Sequence, residues 1–368
     1  MTALLPEGLR DRLPPQADAA AAMLRAALDA IRAHGYERVA PPLAEYEESL
    51  AGRLKAGTAR DLLRVVDPLS QRTLALRPDI TTQVGRIAAT RLAHRPRPLR
   101  LSYGGPVVKL RASQLRPERE MTQIGAELIG RDSAAAAAEI VSLAVEALGA
   151  AGGKGITVDL TLPDLVQTLS EAQPMPVEQT DRIRALLDAK DAGGLAAAGA
   201  SAYLPLIEAA GPFAHAIERL RAFDGTGALA SRLAALEAVA ARLEKVATVM
   251  LDPTERHGFE YQSWLGFSLF AEGLSGEIGR GGAYTVLHED GREAPAVGFS
   301  IYPDPLLDLS SEEEPGRRVF LPLGHDVDEA ERLRGDGWVT IAALDKLCSP
   351  EGCTHLLGPK GPEPVRRS

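Results

Sequence analysis

The 368 residues of the chain are too many for one ordinary hydrophobic core, so the length predicts two or three domains. Hydrophobic residues make up 45% and charged residues 25%, which is a globular composition and excludes a largely disordered chain. A net charge of -9 disfavours general nucleic-acid binding, because contacts to phosphates need a local excess of Lys and Arg.

The first 150 residues are predicted to alternate helices with strands. Asp18 can act as the N-cap of a first helix, 18–34, and Gly35 can end that helix in the left-handed conformation. The elements that follow are a strand 36–39, a hairpin 62–67 and 72–76, a helix 80–92, strands 99–109 and 120–129, and a helix 133–150.

Beyond residue 150 the pattern becomes mostly helical and predicts an insertion, 151–250, within a core made of residues 1–150 and 251–309. One predicted apolar stripe has helical spacing and consists of Leu229, Leu233, Leu236, Val239, Leu243 and Val246. Strand character returns at 259–270, 283–288 and 296–301. After a charged linker, 310–318, a small α/β unit, 319–368, is predicted to run strand, helix 327–334, strand, helix.

Cysteine usage and hydropathy predict the compartment. The two cysteines, Cys348 and Cys353, favour a reducing environment over a disulfide scaffold. With His355 they invite a metal interpretation, but their spacing is loose and a fourth ligand is not evident, so we expect free thiols or a local disulfide. No apolar run has the length of a membrane span, and the first residues lack the apolar stretch of a secretory signal. We expect a cytoplasmic protein with no metal or cofactor.

The stretch GPVVKLRASQLRPEREMTQIGAE, 105–127, is predicted to form two strands and the loop between them. Lys109 and Arg111 are two apart and share one face of the first strand, and Gln123 and Glu127 share one face of the second. Cations beside an amide and a carboxylate could hold a zwitterion. Alternatively, the two cations are solvated surface charges, and Gln123 and Glu127 form a surface network with Arg119 or Arg131.

Five motifs occur in one order: LRPDITTQVGR, the stretch just quoted, HGFEYQ, GGAY and AVGFSI. Together they resemble the catalytic core of histidyl-tRNA synthetase, a class II synthetase, over residues 6–305. The resemblance implies an α+β fold, an antiparallel sheet flanked by helices. PEGLRDRLP and HGYERVAPP also match the family's start and its dimer-forming first motif, which implies a homodimer.

The resemblance also implies a site for histidine. Asp79, Gln123 and Glu127 match contacts to the α-amino group, and Thr81 is retained. Tyr261 and Tyr284 match aromatic positions of the imidazole pocket; Gln262 replaces a second tyrosine and can still hydrogen-bond a ring nitrogen. Lys109 and Arg111 would face the carboxylate. Two plainer interpretations stay open, with Asp79 as a helix cap and the tyrosines as core or interface residues.

Four positions depart from the synthetase pattern, and all four correspond to arginines that act in adenylation. They hold Lys109, Pro117, His257 and Pro305, the last with Asp304 beside it. Arginine forks clamp the charged groups of ATP, so losing them predicts that the chain has no catalytic residues. His257 is then most simply structural.

This selective loss resembles one family, the regulatory subunits of ATP phosphoribosyltransferase, which are paralogues of the synthetase. The resemblance implies a regulatory and activating role in the first step of histidine biosynthesis, with L-histidine as the feedback signal. The implied partner is the short catalytic subunit, in a hetero-octamer, with no nucleic acid and no membrane. Only 63 residues follow Pro305, too few for an anticodon-binding domain of roughly a hundred residues. An active histidyl-tRNA synthetase and a free-standing amino-acid sensor are the alternatives.

Overall fold

The computed structural model describes residues 5–51, 62–110, 118–256, 263–288, 291–309 and 316–365. The chain divides into two compact units, Met1–Leu307 and Asp308–Ser368. Arg111, Tyr261 and Gln262, predicted to bind the ligand, lie outside the described residues, as do Pro117 and His257.

The first unit is built on a nine-stranded, mostly antiparallel sheet with the strand order β1-β5-β6-β12-β11-β10-β7-β9-β8. Two pairs are parallel, β1 with β5 and β7 with β9. The strands are β1 Glu37–Arg38, β5 Leu99–Val108, β6 Glu120–Ile129, β7 Thr157–Thr161, β8 Gly211–Pro212, β9 Thr248–Leu251, β10 Gly266–Phe270, β11 Gly279–Leu287 and β12 Glu293–Ile301.

A second, three-stranded sheet has the order β2-β4-β3. Its strands are β2 Ala44–Tyr46, β3 Arg64–Val66 and β4 Thr73–Leu76. β3 and β4 pair antiparallel and confirm the predicted hairpin. β4 ends only three residues before Asp79, so this sheet leads directly into the predicted ligand site.

Helices cover the large sheet and connect its strands. The described helices of the first unit are Gln16–Ala33, Glu47–Ala51, Thr81–Ala89, Ala134–Ala150, Leu165–Ala172, Val177–Asp188, Ala192–Ala197, Leu204–Glu208, Phe213–Phe223 and Ala230–Leu243, with 3-10 turns at Ser201–Tyr203 and Asp304–Asp308. Ala134–Ala150 packs against Gln16–Ala33, Ala230–Leu243 and β12. Its many alanines allow neighbouring elements to approach closely, and it is buried over most of its surface.

The helix boundaries agree with the sequence patterns to within a few residues. Ser133 caps Ala134–Ala150 by accepting a hydrogen bond from the backbone of Ala136. The first helix begins two residues before Asp18, so Asp18 lies in its first turn and is not the N-cap. Gly35 follows this helix with a φ of 80°, as its predicted left-handed role requires.

The segment predicted to be mostly helical, 151–250, begins and ends with strands of the large sheet. β7 and β9 pair with each other, and helices from Leu165 to Leu243 connect them. The predicted stripe from Leu229 to Leu243 is buried, but Val246 lies beyond the end of the helix and is exposed. The boundaries of a separate insertion domain stay a prediction.

The second unit contains a four-stranded sheet with the order β14-β13-β15-β16 and one described helix, Val327–Gly335. Its strands are β13 Arg318–Leu321, β14 Val339–Ala342, β15 His355–Gly358 and β16 Gly361–Pro364. The helix predicted at the end of this unit is wrong, because β15 and β16 form a hairpin there. Pro350, Pro362 and Pro364, with several glycines, prevent a continuous helix in this stretch.

Candidate functional site

Strands β5, β6 and β12 bring the predicted polar residues to one face of the large sheet. In the β5–β6 ladder, Tyr103 pairs with Gly125. In the β6–β12 ladder, Glu127 pairs with Gly298, and Gly125 pairs with Ser300. Because directly paired residues project to the same face, the side chains of Tyr103, Glu127 and Ser300 converge.

Two glycines make room for these side chains. A Cβ added at Gly298 would lie 1.6 Å from Oε2 of Glu127. A Cβ added at Gly125 would lie 2.3 Å from the hydroxyl of Tyr103. The glycines of QIGAE and AVGFSI therefore leave the space that a buried carboxylate and a buried phenol occupy.

Glu127 is the most deeply buried acid of the site, with 1% of its surface exposed. Its Oε1 accepts a hydrogen bond of 2.9 Å from Tyr103, and its Oε2 accepts one of 2.6 Å from Tyr284. Burial raises the pKa of Glu127 to about 8; the two tyrosines lower it, and nearby Asp79 raises it. In the ligand-free protein this carboxyl group is therefore largely protonated at pH 7.

Gln123 links Glu127's strand to the segment that contains Asp79. Its Nε2 donates to Oδ2 of Asp79 and to Oγ of Ser300, both at 2.8 Å. Its Oε1 accepts from the backbone N–H of Ile80 at 2.8 Å. Both Gln123 and Glu127 are buried, and neither bonds to Arg119 or Arg131 within the described residues, so the alternative of a surface network is wrong.

Asp79 hydrogen-bonds both the start of a helix and the buried network, although Ile80 is the N-cap residue of that helix. Its Oδ1 accepts a hydrogen bond of 2.7 Å from the backbone of Thr81, the first residue of the helix Thr81–Ala89. Its Oδ2 accepts from Gln123 and takes part in the network. Thr81 Oγ1 lies 2.9 Å from the Tyr103 hydroxyl and 3.4 Å from Oγ of Ser300, which closes the network.

The structure thus brings together five of the predicted residues: Asp79, Thr81, Gln123, Glu127 and Tyr284. Two further members, Tyr103 and Ser300, were missed by sequence reasoning. The sequence signal for these two residues is their spacing from the motif glycines. Tyr103 is two residues before Gly105 in β5, and Ser300 is two residues after Gly298 in AVGFSI, so each shares a strand face with its glycine. The hydroxyl of Tyr103 also lies 3.0 Å from Oγ of Ser300.

Lys109 is the other predicted ligand residue that the structure describes. It is exposed, follows the last residue of β5, and places its ammonium 6.0 Å from the ring centroid of Tyr302. Near the position of the lost third-motif arginine, Asp304 is buried and accepts a 2.9 Å hydrogen bond from the backbone of Thr122. Arg12 pairs with the same oxygen at 3.1 Å. A carboxylate therefore stands beside Pro305, where the synthetase pattern has a cation.

Within the described part of the chain, no group of three or more His, Cys, Asp or Glu side chains is arranged to hold a metal ion. Cys348 and Cys353 are free thiols. Among the described helices, none combines the length and the hydropathy needed to cross a bilayer.

Comparison with known proteins places the chain in a family. The histidyl-tRNA synthetase family model matches residues 8–306. An ATP phosphoribosyltransferase regulatory subunit from Paramagnetospirillum magneticum is 44% identical over 98% of this chain and 97% of its own length. One from Rhodospirillum centenum is 42% identical over 96% and 94%. The chain belongs to the family of ATP phosphoribosyltransferase regulatory subunits.

Solved structures agree on the fold. A Bacillus halodurans protein described as an ATP phosphoribosyltransferase regulatory subunit/histidyl-tRNA synthetase has a TM-score of 0.80 at 24% identity, covering 96% of this chain and 97% of its own. Histidyl-tRNA synthetase from Nostoc sp. PCC 7120 has a TM-score of 0.76 at 16% identity, covering 95% and 87%. The predicted class II synthetase-like α+β fold is confirmed.

Proposed function

We propose that the chain is a non-catalytic regulatory subunit of ATP phosphoribosyltransferase and binds histidine at the network around Glu127. The observation that carries the histidine site is the pair of acceptors, Asp79 and Glu127, joined through Gln123, Ser300 and Tyr103. Histidine offers two groups with N–H donors, its ammonium and its imidazole. When Glu127 is ionised, each of its oxygens accepts one tyrosine hydroxyl and can accept a further donor.

The electrostatics of the pocket favour a cationic or strongly donating ligand. A buried carboxyl group with a pKa of about 8 gains stability as a carboxylate when a donor or a positive charge approaches. Gln123 and Tyr284 are held by hydrogen bonds before the ligand arrives, so binding requires little ordering of these side chains.

Two described positions of the synthetase's ATP clamp carry no guanidinium here. Lys109 is a point charge where the synthetase has a fork-shaped guanidinium, and Pro305 offers no charge. Asp304 stands beside Pro305, and its carboxylate pairs with Arg12 at 3.1 Å, so this ion pair adds no net positive charge for phosphate groups. We infer that ATP is not activated here, and that the synthetase fold serves ligand binding without chemistry.

The proposed partner is the short catalytic subunit of ATP phosphoribosyltransferase. Support comes from the relatives' designation as regulatory subunits of that enzyme. The first-motif resemblance supports a homodimer as the core unit, and family resemblance supports four copies of each chain in the complex. If histidine binding opposes the active state, ligands of that state must weaken histidine binding by the same coupling free energy.

The test is to mix the chain with the catalytic subunit and follow the formation of phosphoribosyl-ATP with and without histidine. We expect the mixture to be more active than the catalytic subunit alone, and histidine to inhibit it. If the chain binds histidine but neither binds nor affects the catalytic subunit, the free-standing sensor is the better description. Histidine-dependent exchange of pyrophosphate into ATP, within tenfold of an active synthetase, would instead establish the synthetase alternative.

A further inference from the structure

Arg77 is a buried cation that the predicted site does not include. It lies between β4 and Asp79, and 5% of its surface is exposed. Its Nε donates to the carbonyl oxygen of Pro106 and its Nη1 to that of Pro41, each at 2.8 Å. No described carboxylate lies within ion-pair distance of it. Burial lowers the pKa of this guanidinium, the charges of Glu45 and Asp79 offset only part of that effect, and perturbed groups of this kind are frequent at functional sites.

The third guanidinium nitrogen of Arg77, Nη2, lies beside Gly105, on the face of the sheet that carries the side chain of Gln123. A Cβ added at Gly105 would be 2.7 Å from Nη2 of Arg77. Gly105 pairs directly with Gln123 in the β5–β6 ladder, so Nη2 occupies the position that a side chain beside Gln123 would fill. Within the described residues, Nη2 donates no hydrogen bond.

An α-amino acid presents its ammonium and its carboxylate from one carbon atom, so a site for it needs an anion and a cation side by side. Arg77 and Asp79 meet this requirement, since only Pro78 separates them. Both charged groups adjoin Gln123: Asp79 bonds to it, and Arg77 Nη2 lies beside its strand partner.

We propose that Arg77 binds the carboxylate of the amino acid that occupies this site, and so selects amino acids over amines. The proposal rests on the proposed function of the site as an amino-acid pocket. Lys109, predicted for this role, lies four residues beyond Gly105, which is about 13 Å along an extended strand. Arg77 is therefore better placed than Lys109 to meet a carboxylate whose ammonium is bound at Asp79.

A purely structural role for Arg77 makes a different prediction. Its bonds to the carbonyls of Pro41 and Pro106 tether two segments, and losing this tether would weaken the binding of every ligand. Losing a carboxylate contact weakens only ligands that have a carboxylate. Histamine keeps the imidazole and the charged amine of histidine and lacks the carboxylate, so the ratio of the two affinities separates the roles.

The experiment is calorimetric titration of the full chain with L-histidine and with histamine. We expect the wild type to prefer histidine, and Arg77→Gln to lose roughly 10- to 100-fold in histidine affinity with a much smaller loss for histamine. Gly105→Ala provides a second variant, because its Cβ must displace Nη2 while the charge of Arg77 is kept. Gly105→Ala should also lose the preference for histidine over histamine. If Arg77→Gln does not fold, this second variant tests the carboxylate contact alone.

Arg97→Gln is the matched control. Arg97 also donates to backbone carbonyls, those of Ala88 and Leu92 among them, and it takes no part in the network around Glu127. Its variant should keep the wild-type ratio of affinities. Equal losses for both ligands in Arg77→Gln and Gly105→Ala would reduce Arg77 to a tether and overturn the proposal. Loss of the preference in Lys109→Ala, with the preference intact in the Arg77 variant, would assign the carboxylate to Lys109.

Failure of the proposed function has a different signature. A wild-type chain that binds neither histidine nor histamine would show that the network is not the proposed histidine pocket. A wild-type chain that binds both equally well would keep the pocket and remove the carboxylate contact. The assignment of Arg77 therefore stands or falls separately from the assignment of the site.

Discussion

Replacing Glu127 with glutamine tests whether this carboxyl group is buried without a compensating cation. Burial raises its pKa from the ordinary 4.5 to about 8. Between these two pH values the folded protein keeps the proton on Glu127, whereas the unfolded chain releases it. Because the unfolded state binds fewer protons in this window, the free energy of unfolding falls as the pH rises from 4.5 to 8 and levels off above that.

The size of the effect follows from the two pKa values. One pKa unit corresponds to about 1.36 kcal/mol, so Glu127 should remove roughly 3–4 kcal/mol of unfolding free energy between pH 5 and pH 8. Glutamine does not titrate and lacks this loss. The difference in unfolding free energy, Glu127→Gln minus wild type, should therefore increase by roughly 3–4 kcal/mol from pH 5 to pH 8. This increase does not depend on how stable the variant is at pH 5.

Urea titrations of both proteins at pH 5, 6, 7 and 8, at one protein concentration and without ligand, measure this difference. Glu139→Gln is the control, because a hydrogen bond from Arg100 lowers the pKa of Glu139. That carboxyl group is ionised in both states over most of the range, so the control's difference from wild type should hardly change with pH. If the curves of Glu127→Gln and the wild type stay parallel, Glu127 is ionised in the folded protein and the reasoning is wrong.

Three further predictions concern proton release on histidine binding, the space left by Gly298, and the homodimer. Histidine binding should release up to about one proton at pH 7, because a bound donor favours ionised Glu127; calorimetry in buffers of different ionisation enthalpy should show this, and no release would contradict it. Gly298→Ala should abolish histidine binding, since its Cβ would lie 1.6 Å from Oε2 of Glu127, whereas Gly149→Ala, with 4.0 Å to the nearest atom, should bind normally in the same titration. Light scattering of the isolated chain should give a mass near twice 39.0 kDa, and a monomer at micromolar concentration would refute the dimer.

The two longest strands show what sequence patterns could predict. The bounds of β6 were predicted to the residue, and β5 ends one residue before the predicted Lys109. Both strands are ten residues long and mostly buried. The final hairpin of the second unit was missed, because the strands His355–Gly358 and Gly361–Pro364 are short and contain prolines and glycines.

The sequence predicted the site residues that belong to a family motif. It missed the residues whose place in the site depends on strand register or on burial. Asp79, Thr81, Gln123, Glu127 and Tyr284 came from motif matching, and the structure brings them into one network. Tyr103 and Ser300 alternate with Gly105 and Gly298, but their meeting depends on the register of β5, β6 and β12, which this alternation does not fix. Arg77 looks like any charged residue until its burial is known, and Lys109 looked suitable because its exposure was not visible in the sequence.

The dependence of feedback on Glu127 can be measured in the complex with the catalytic subunit. Glu127→Ala removes an acceptor from a buried site, and the loss of a charged hydrogen bond of this kind costs roughly 2–4 kcal/mol, or about thirty-fold or more in histidine affinity. The measurement is the histidine inhibition of phosphoribosyl-ATP formation, with the wild type and the variant compared in the same preparation of catalytic subunit. We expect the variant to bind and activate the catalytic subunit as the wild type does, while the histidine concentration for half-inhibition rises at least about thirty-fold. Unchanged inhibition in a variant that has lost histidine binding would place the feedback site elsewhere and contradict the role proposed for this pocket.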